Sequence, residues 1–508
     1  MKYLHRVLLL LFIVTASLGR SGAQDTVVRV PNIGKLDSLN SSILKEKRLI
    51  QVFTPENYKP GSAEKYDVLY VLDGGNWNTG MIKQIQRFLE GEAYMPPTII
   101  VSILGIDRNK DLTPTHLKDS KTSGGAANFL SFLKNELIPY VNKNYPSNGD
   151  NTLWGHSLGG LFVTYAMLNE PAAFKSYIAV DPSFWWDNIL LAKVATEKLP
   201  ALKNSNITLF ISGREGQDGK GMKIDTMQTV LKRFAPADLK WKVVYYPDET
   251  HSSIRLKSTY DGLRFTYKGF TDAIEFYPQG GIIEKEKPLA VRYFEDTTNV
   301  RYTLDGSAPT ISSPKIKDAI LLTGPATFTI KRFANRASYD RMATGVFTTD
   351  NNLRLFKSAG KLRPGGLNYA YYEGDWDKWP DLKNVKPTKT GITDKDFDTD
   401  KLPRNNNFAV VIDGMLQIKE DGYHMFFLNG DKDTRLYLGN KLLIKWSGNY
   451  KHRTNSYMVP LKKGFYPLRI EYLRKNKDFN LGWAVITPSN LKGMDASLPP
   501  PEAQYGKR

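Results

Sequence analysis

Gly155-His156-Ser157-Leu158-Gly159 lies between Thr152-Leu153-Trp154, an apolar stretch of strand character, and residues 158–168, where Leu161, Phe162, Tyr165 and Met167 mark a buried helix. A strand that turns abruptly into a helix holds the intervening serine in a strained conformation with its hydroxyl projecting from the sheet. Glycines two before and two after remove the side chains that would collide in so tight a turn. The helix starting after Ser157 adds unpaired amides and a positive dipole end beside any developing oxyanion. The expectation is an α/β fold built around a nucleophilic serine.

Outward from this stretch, from Leu49 to about Phe270, apolar strands alternate with helical patterns, the signature of a mostly parallel sheet covered on both faces. The clearest strands are 67–72, 98–103, 177–180, 207–211 and 241–246. Residues 126–141 carry Phe129, Leu133, Leu137 and Tyr140 at helical spacing, and Pro139 is expected to kink the last turn. Beyond Gly280 the texture changes to short strands and frequent glycine, which predicts all-β modules at 277–349 and 362–490, joined by a connector at 351–361. The tail 491–508 contains Leu498-Pro499-Pro500-Pro501 and is expected to be loose.

A chain of 508 residues exceeds what one core supports, and 41% hydrophobic content can fill several. Lys2 and Arg6, the apolar run from Val7 to Val14, and Ser21-Gly22-Ala23 form the pattern of an export signal, residues 1–23, cleaved before Gln24. The mature protein is then periplasmic or secreted, and its first domain occupies 24–272. No later run approaches the roughly 20 apolar residues of a membrane span. Cysteine is absent, which excludes disulfides, thiolate sites and a lipid-bearing cysteine. The net charge of +18 falls by three to +15 when Lys2, Arg6 and Arg20 leave with the signal. Lys and Arg are scattered without a nucleic-acid motif, so nucleic acid is not an expected partner.

A serine attacks an ester when a base takes its proton, and histidine is the usual base at neutral pH. Of six histidines, His5 leaves with the signal, His156 sits inside the elbow pointing elsewhere, and His424 and His452 lie in the last β module. The order nucleophile, acid, histidine then selects His251, after the strand 241–246, over His116. The acid is sought after strand 207–211, in Ser212-Gly213-Arg214-Glu215-Gly216-Gln217-Asp218, with Glu215 preferred to Asp218. Two amides are needed for an oxyanion hole: Leu158, and Gly75 or Asn76 from Leu72-Asp73-Gly74-Gly75-Asn76-Trp77. Trp77, Trp185 and Trp186 offer flat walls for substrate or core packing.

These residues resemble the esterase group of α/β-hydrolases that includes esterase D, feruloyl esterases and siderophore esterases. The landmarks are Val68-Leu69-Tyr70-Val71-Leu72-Asp73-Gly74-Gly75, Phe129-Leu130, Glu136-Leu137-Ile138-Pro139-Tyr140, the elbow with Gly160-Leu161-Phe162, Pro182-Ser183-Phe184-Trp185-Trp186 and Thr250-His251. The resemblance covers about Arg48 to Tyr267 and implies a serine esterase using Ser157 and His251. Some relatives work with a Ser-His pair, so it fixes no acid. Tyr302-Thr303-Leu304-Asp305-Gly306-Ser307-Ala308-Pro309-Thr310 resembles the turn of the small β-sandwich at the C-terminus of chitobiases. Gly366-Leu367-Asn368-Tyr369, Tyr372-Glu373-Gly374, Asp421-Gly422-Tyr423, Arg435-Leu436-Tyr437-Leu438 and Gly464-Phe465-Tyr466-Pro467-Leu468 resemble the protective-antigen-type β-sandwich. Relatives that bind sugar through calcium carry two adjacent aspartates. Here Asp431-Lys432-Asp433 inserts a lysine, so no metal and no cofactor is expected.

The pairing of modules points to acetyl or feruloyl esters of carbohydrate, with the β modules as polysaccharide-targeting or spacer units. A tricatecholate siderophore ester is the alternative substrate. A binding protein with an inert hydrolase domain is the alternative of a different class, and the intact Ser157, His251 and Gly74-Gly75 set argues against it.

Overall fold

Apolar runs of five or six residues, too short for helices, stack into one sheet when helices can cover both its faces. The computed structural model describes residues 34–56, 58–271, 273–317, 319–350, 353–393, 397–446, 455–475, 480–499 and 501–507. The expected signal segment and His452 lie outside the described residues. Two compact bodies are formed: one from 27–272 with 332–341, the other from 273–331 with 342–508.

The first body is an α/β-hydrolase fold. Its strands are β1 (Lys35–Ser41), β2 (Glu46–Phe53), β3 (Tyr66–Val71), β4 (Thr98–Ile103), β5 (Ser147–His156), β6 (Ser176–Val180), β7 (Thr208–Arg214) and β8 (Lys240–Tyr246), in the order β1-β2-β4-β3-β5-β6-β7-β8. The pairings β1–β2 and β2–β4 are antiparallel, and the others are parallel. Every residue of β3, β4 and β6 is buried. Along β3, Val68 and Tyr70 enter one core with Phe129, Phe162 and Met227, while Leu69 and Val71 enter the other with Ile82, Leu89 and Leu263. The period of two thus divides a continuous apolar run between two layers.

The helices follow: α1 (Asn76–Gly91), α2 (Arg108–Leu112), α3 (Ala126–Phe132), α4 (Ile138–Asn144), α5 (Leu158–Asn169), α6 (Trp186–Lys198), α7 (Gly216–Gly221), α8 (Ile224–Phe234) and α9 (Ile254–Thr266). Helices α1 and α9 cover one face, and α3, α5, α6 and α8 the other. At Pro139 the regular helix is interrupted one turn earlier than expected. A wide π turn, Leu133–Leu137, precedes it, with Ile138 N donating to Leu133 O, so helical backbone continues into α4 around a residue that has no N–H to give.

In the second body one seven-stranded sheet serves two cores. Its strands run, in order, Val300–Thr303, Ala326–Arg332, Arg341–Thr348, Gly280–Ile282, Asn455–Leu461, Gly422–Asn429 and Gly482–Ile486. On Gly422–Asn429, Phe426 and Leu428 pack with Ile412, Ile470 and Tyr472, whereas Met425 and Phe427 pack with Phe276, Val291 and Phe328. The two expected β modules therefore share a layer, and the run Met425-Phe426-Phe427-Leu428 is apolar throughout because both faces are covered. The tail is not loose: Gln504–Gly506 pairs with Phe408–Ile418 and Arg363–Pro364, with Tyr505 edge-on to Phe465. Asp433 accepts two hydrogen bonds from Arg435, at 2.8 and 2.7 Å, and Asp431 accepts from Lys475 N at 2.6 Å. Both carboxylates of the Asp431-Lys432-Asp433 stretch are thus engaged by protein donors.

Residues 332–341 fill the base of the hydrolase sheet. Buried Asp67, at the start of β3, accepts from Tyr267 Oη (2.9 Å), Tyr339 Oη (2.6 Å) and Asn148 Nδ2 (2.7 Å), and Arg336 Nη1 lies 2.7 Å from its Oδ2. Arg336 Nη2 lies 2.9 Å from Asp150 Oδ2. Removing the cation leaves a buried carboxylate without its opposite charge. Arg336→Met is expected to destabilise the hydrolase body by about 3 kcal/mol, read as a lower Tm and denaturation midpoint, and an unchanged midpoint would contradict this account.

Candidate active site

Ser157 stands between β5 and α5 with φ 64° and ψ −118°, the left-handed backbone of a nucleophile elbow. A Cβ on Gly155 would fall 2.4 Å from Gly159 O, so the turn closes only with glycine there. Ser157 N donates to Val180 O (2.9 Å), which fixes the elbow to the end of β6. Its Oγ lies 3.3 Å from Ser183 Oγ; among the described residues that is its hydrogen bond, rather than one to His251.

His251 sits after β8 with 41% of its side chain exposed, and its Nδ1 lies 2.7 Å from Asp181 Oδ2. Asp181 follows β6 directly and is fully buried. With Nδ1–H donating to the carboxylate, Nε2 carries the free lone pair. The carboxylate that meets His251 therefore follows β6, not β7, where the sequence placed the acid. Glu215 is exposed at the start of α7, its amide donating to Tyr246 O (3.2 Å), and Asp218 is exposed within α7. Neither carboxylate meets His251. The tip of β7 instead presents Arg214, whose Nε donates to Asp181 Oδ2 at 2.6 Å. A buried carboxylate needs a compensating cation, and Arg214 fills the place where a second acid would have stood. The one available signal was the sequence Val180-Asp181-Pro182-Ser183, an acid immediately past a strand and adjoining a recognised landmark.

His156 does not point elsewhere. Its Nε2 donates to the His251 carbonyl oxygen at 2.7 Å, and its ring lies 4.4 Å from the His251 ring. Burial, reinforced by the neighbouring His251 and the Arg255 and Arg108 charges, pushes its pKa down to about 3. It is neutral and joins the elbow to the His251 loop.

The loop after β3 approaches from the other side. Gly75 N is taken by Thr79 Oγ1 at 3.2 Å, and Gly74 N by Ile103 O at 2.8 Å. That leaves Asn76, the first residue of α1, as the stronger of the two expected donors beside Leu158, the first residue of α5. Asp73 Oδ2 pairs with Arg108 Nη1 (2.7 Å), and Arg108 Nη2 donates to His156 O (3.3 Å). Burial raises the Asp73 pKa, and Arg108 opposes the rise. Trp77 is 85% exposed and Trp185 46% exposed, free to meet a ligand, while Trp186 is buried with Nε1 donating to Thr115 Oγ1 (3.1 Å) and serves the core.

Residues 41–238 match the family model described as "Putative esterase". This part of the chain belongs to that family. The chain is a serine ester hydrolase. Residues 290–349 match the "Fn3 associated" model and 362–497 the "PA14 domain" model, consistent with the two C-terminal β modules. The chain is 28% identical to the ferri-bacillibactin esterase BesA of Bacillus subtilis over 213 residues, 37% of this chain and 74% of that protein. It is 28% identical to the siderophore triacetylfusarinine C esterase of Aspergillus fumigatus, covering 38% of this chain and 70% of that protein. A crystal structure of an IroE-like serine hydrolase from Shewanella oneidensis aligns at 30% identity with a TM-score of 0.43, covering 46% of this chain and 79% of that one. Among the described residues, no helix is long and apolar enough to cross a membrane.

Asp181→Asn, which reverses the imidazole tautomer, is expected to lower kcat on a short aryl ester about a thousandfold, whereas Glu215→Gln and Asp218→Asn stay within about twofold; equal losses in the three variants would return the acid to the β7 loop. His156 has a folded pKa far below its unfolded value, so its neutral form costs nothing above pH 6.5. Below that pH the unfolded chain binds a proton that the native state refuses. Wild type should therefore lose about 1.4 kcal/mol per pH unit between about 6.5 and 3 relative to His156→Gln, measured by denaturant unfolding across that window.

Proposed function

We propose that the chain cleaves its ester through an acyl-enzyme on Ser157. His251 takes the serine proton at Nε2 and then returns it to the leaving alcohol, while Asp181 holds the ring tautomer and offsets the imidazolium charge. The amides of Leu158 and Asn76 receive the oxyanion. In the second half-reaction water is deprotonated by His251 and attacks the acyl carbonyl, and Ser157 leaves protonated. The observation that carries this reading is the 2.7 Å bond between His251 and buried Asp181, beside a serine held in elbow geometry.

For substrate we infer a siderophore ester. Support comes from the hydrolase region, whose relatives include proteins described as ferri-bacillibactin, triacetylfusarinine C and apo-salmochelin esterases. Exposed Trp77 and Trp185 would give an aryl group flat surfaces to lie on. A second reading, an acetyl or feruloyl ester of carbohydrate, is favoured by the PA14 match, the β modules then holding the enzyme on polysaccharide. Export to the periplasm or medium fits either substrate and rests on the N-terminal pattern of Lys2, Arg6 and the run after them.

The test offers purified protein and its Ser157→Ala variant 4-nitrophenyl acetate, a cyclic tricatecholate ester, a hydroxamate-type siderophore ester, acetylated xylan and a feruloylated oligosaccharide. Wild type should cleave a siderophore ester with a kcat/KM at least about tenfold above the carbohydrate esters, with activity lost in Ser157→Ala. Preference for a carbohydrate ester would select the second reading. Equal turnover by wild type and variant would remove the acyl-enzyme.

A further inference from the structure

Three carboxylates on the loops around Ser157 have a cation: Asp73 pairs with Arg108, Asp181 with Arg214, and Glu249 with Lys257 at 2.6 Å. Arg255, among the described residues, has no carboxylate partner. Its Nη1 donates to Asn78 Oδ1 and its Nε to the Ser252 carbonyl, both at 2.8 Å, and both acceptors are neutral. Asn78 in turn donates to the Asp73 carbonyl, in the loop that carries Gly74-Gly75. Arg255 thus spans from the His251 loop to the oxyanion-side loop, with its Nη2 unassigned to any protein acceptor among the described residues. It lies close enough to His156, the neighbour of Ser157, to oppose a positive charge there.

A guanidinium held by two neutral acceptors keeps its full charge and a donor to spare, the state of an arginine that awaits an anion. We propose that Arg255 anchors an anionic group on the substrate, a carboxylate or an ionised phenolate or hydroxamate, and so selects anionic over neutral esters. This rests on the esterase reading above and adds the charge of the substrate class. Asn78 and Ser252 orient the guanidinium, and the anion takes the N–H groups of Nη2. The mature chain's positive charge adds long-range attraction for such a substrate.

The experiment uses two matched pairs of esters on the full chain: 4-nitrophenyl acetate against 3-carboxy-4-nitrophenyl acetate, with the charge on the leaving side, and 4-nitrophenyl hexanoate against mono-4-nitrophenyl adipate, with the charge on the acyl side. The ratio of kcat/KM within a pair cancels the amount of folded enzyme, so a poorly folding variant still gives an answer. In one pair, wild type should favour the charged ester by about tenfold, and the preference should weaken in high salt. Arg255→Gln should bring that ratio close to one, and Arg255→Lys should retain most of it. A wild-type ratio at or below one in both pairs, or a ratio unmoved by Arg255→Gln, overturns the anchor. Either result leaves the esterase reading intact, since that reading fails only if Ser157→Ala hydrolyses the neutral esters as well as wild type does.

Discussion

One carboxylate oxygen, Asp181 Oδ2, is shared by the two groups that define this site: His251 Nδ1 at 2.7 Å and Arg214 Nε at 2.6 Å. A fully buried carboxylate costs several kcal/mol unless charge and hydrogen bonds compensate it. Arg214 supplies the charge and His251 the second donor. The arrangement also sets a compromise, because a carboxylate already facing a guanidinium has less attraction left for the imidazolium of the proposed acyl transfer. In exchange the imidazole keeps one orientation. The left-handed φ of 40° at Asp181 and the bond from its amide to Ser212 O place the carboxylate at the strand tip without a flexible loop.

The same logic recurs at the opposite end of the sheet. Asp67, as deeply buried as Asp181, is answered by Arg336, more than 260 residues later in the chain, together with three neutral donors. Buried ion pairs thus stand at both ends of the parallel strands. The hydrolase body is completed by residues 332–341, so its stability is tied to a segment beyond the limits of the family match at 41–238. In the β body the equivalent economy is steric: one sheet, apolar on both faces, closes two cores.

Much of this was legible in the sequence. The elbow, the parallel strands and His251 followed from local pattern and from the scarcity of histidine, because those signals lie within a few residues of the groups they describe. The carboxylate that meets His251 was not, since chain order admits Asp181 as well as Glu215 between Ser157 and His251. What separates them is the cation at the tip of β7, and a sequence does not show which way Arg214 points. The roles of His156 and Arg336 were hidden for the same reason: each is defined by a partner on a distant element. Three consecutive prolines suggested a loose tail, yet after Glu502 and Ala503 a strand forms at Gln504–Gly506, where it closes a sheet edge.

His251 is restrained at three points. Asp181 holds Nδ1, His156 holds the carbonyl oxygen, and Arg255 holds the carbonyl of the next residue, Ser252. Each tie removes freedom that would otherwise be lost during reaction, while among the described residues Nε2 has no hydrogen-bond partner. Ser157, by contrast, rests against Ser183 at 3.3 Å. In the proposed pair the base is thus fixed and the nucleophile is the mobile member. A hydroxyl can exchange staggered positions about χ1 at modest cost, whereas displacing a half-exposed histidine tied to a buried carboxylate would break three contacts at once. Approach of substrate therefore need only turn one small side chain toward Nε2, and the tightening expected of catalytic hydrogen bonds on going from the free enzyme to the substrate complex falls on Ser157.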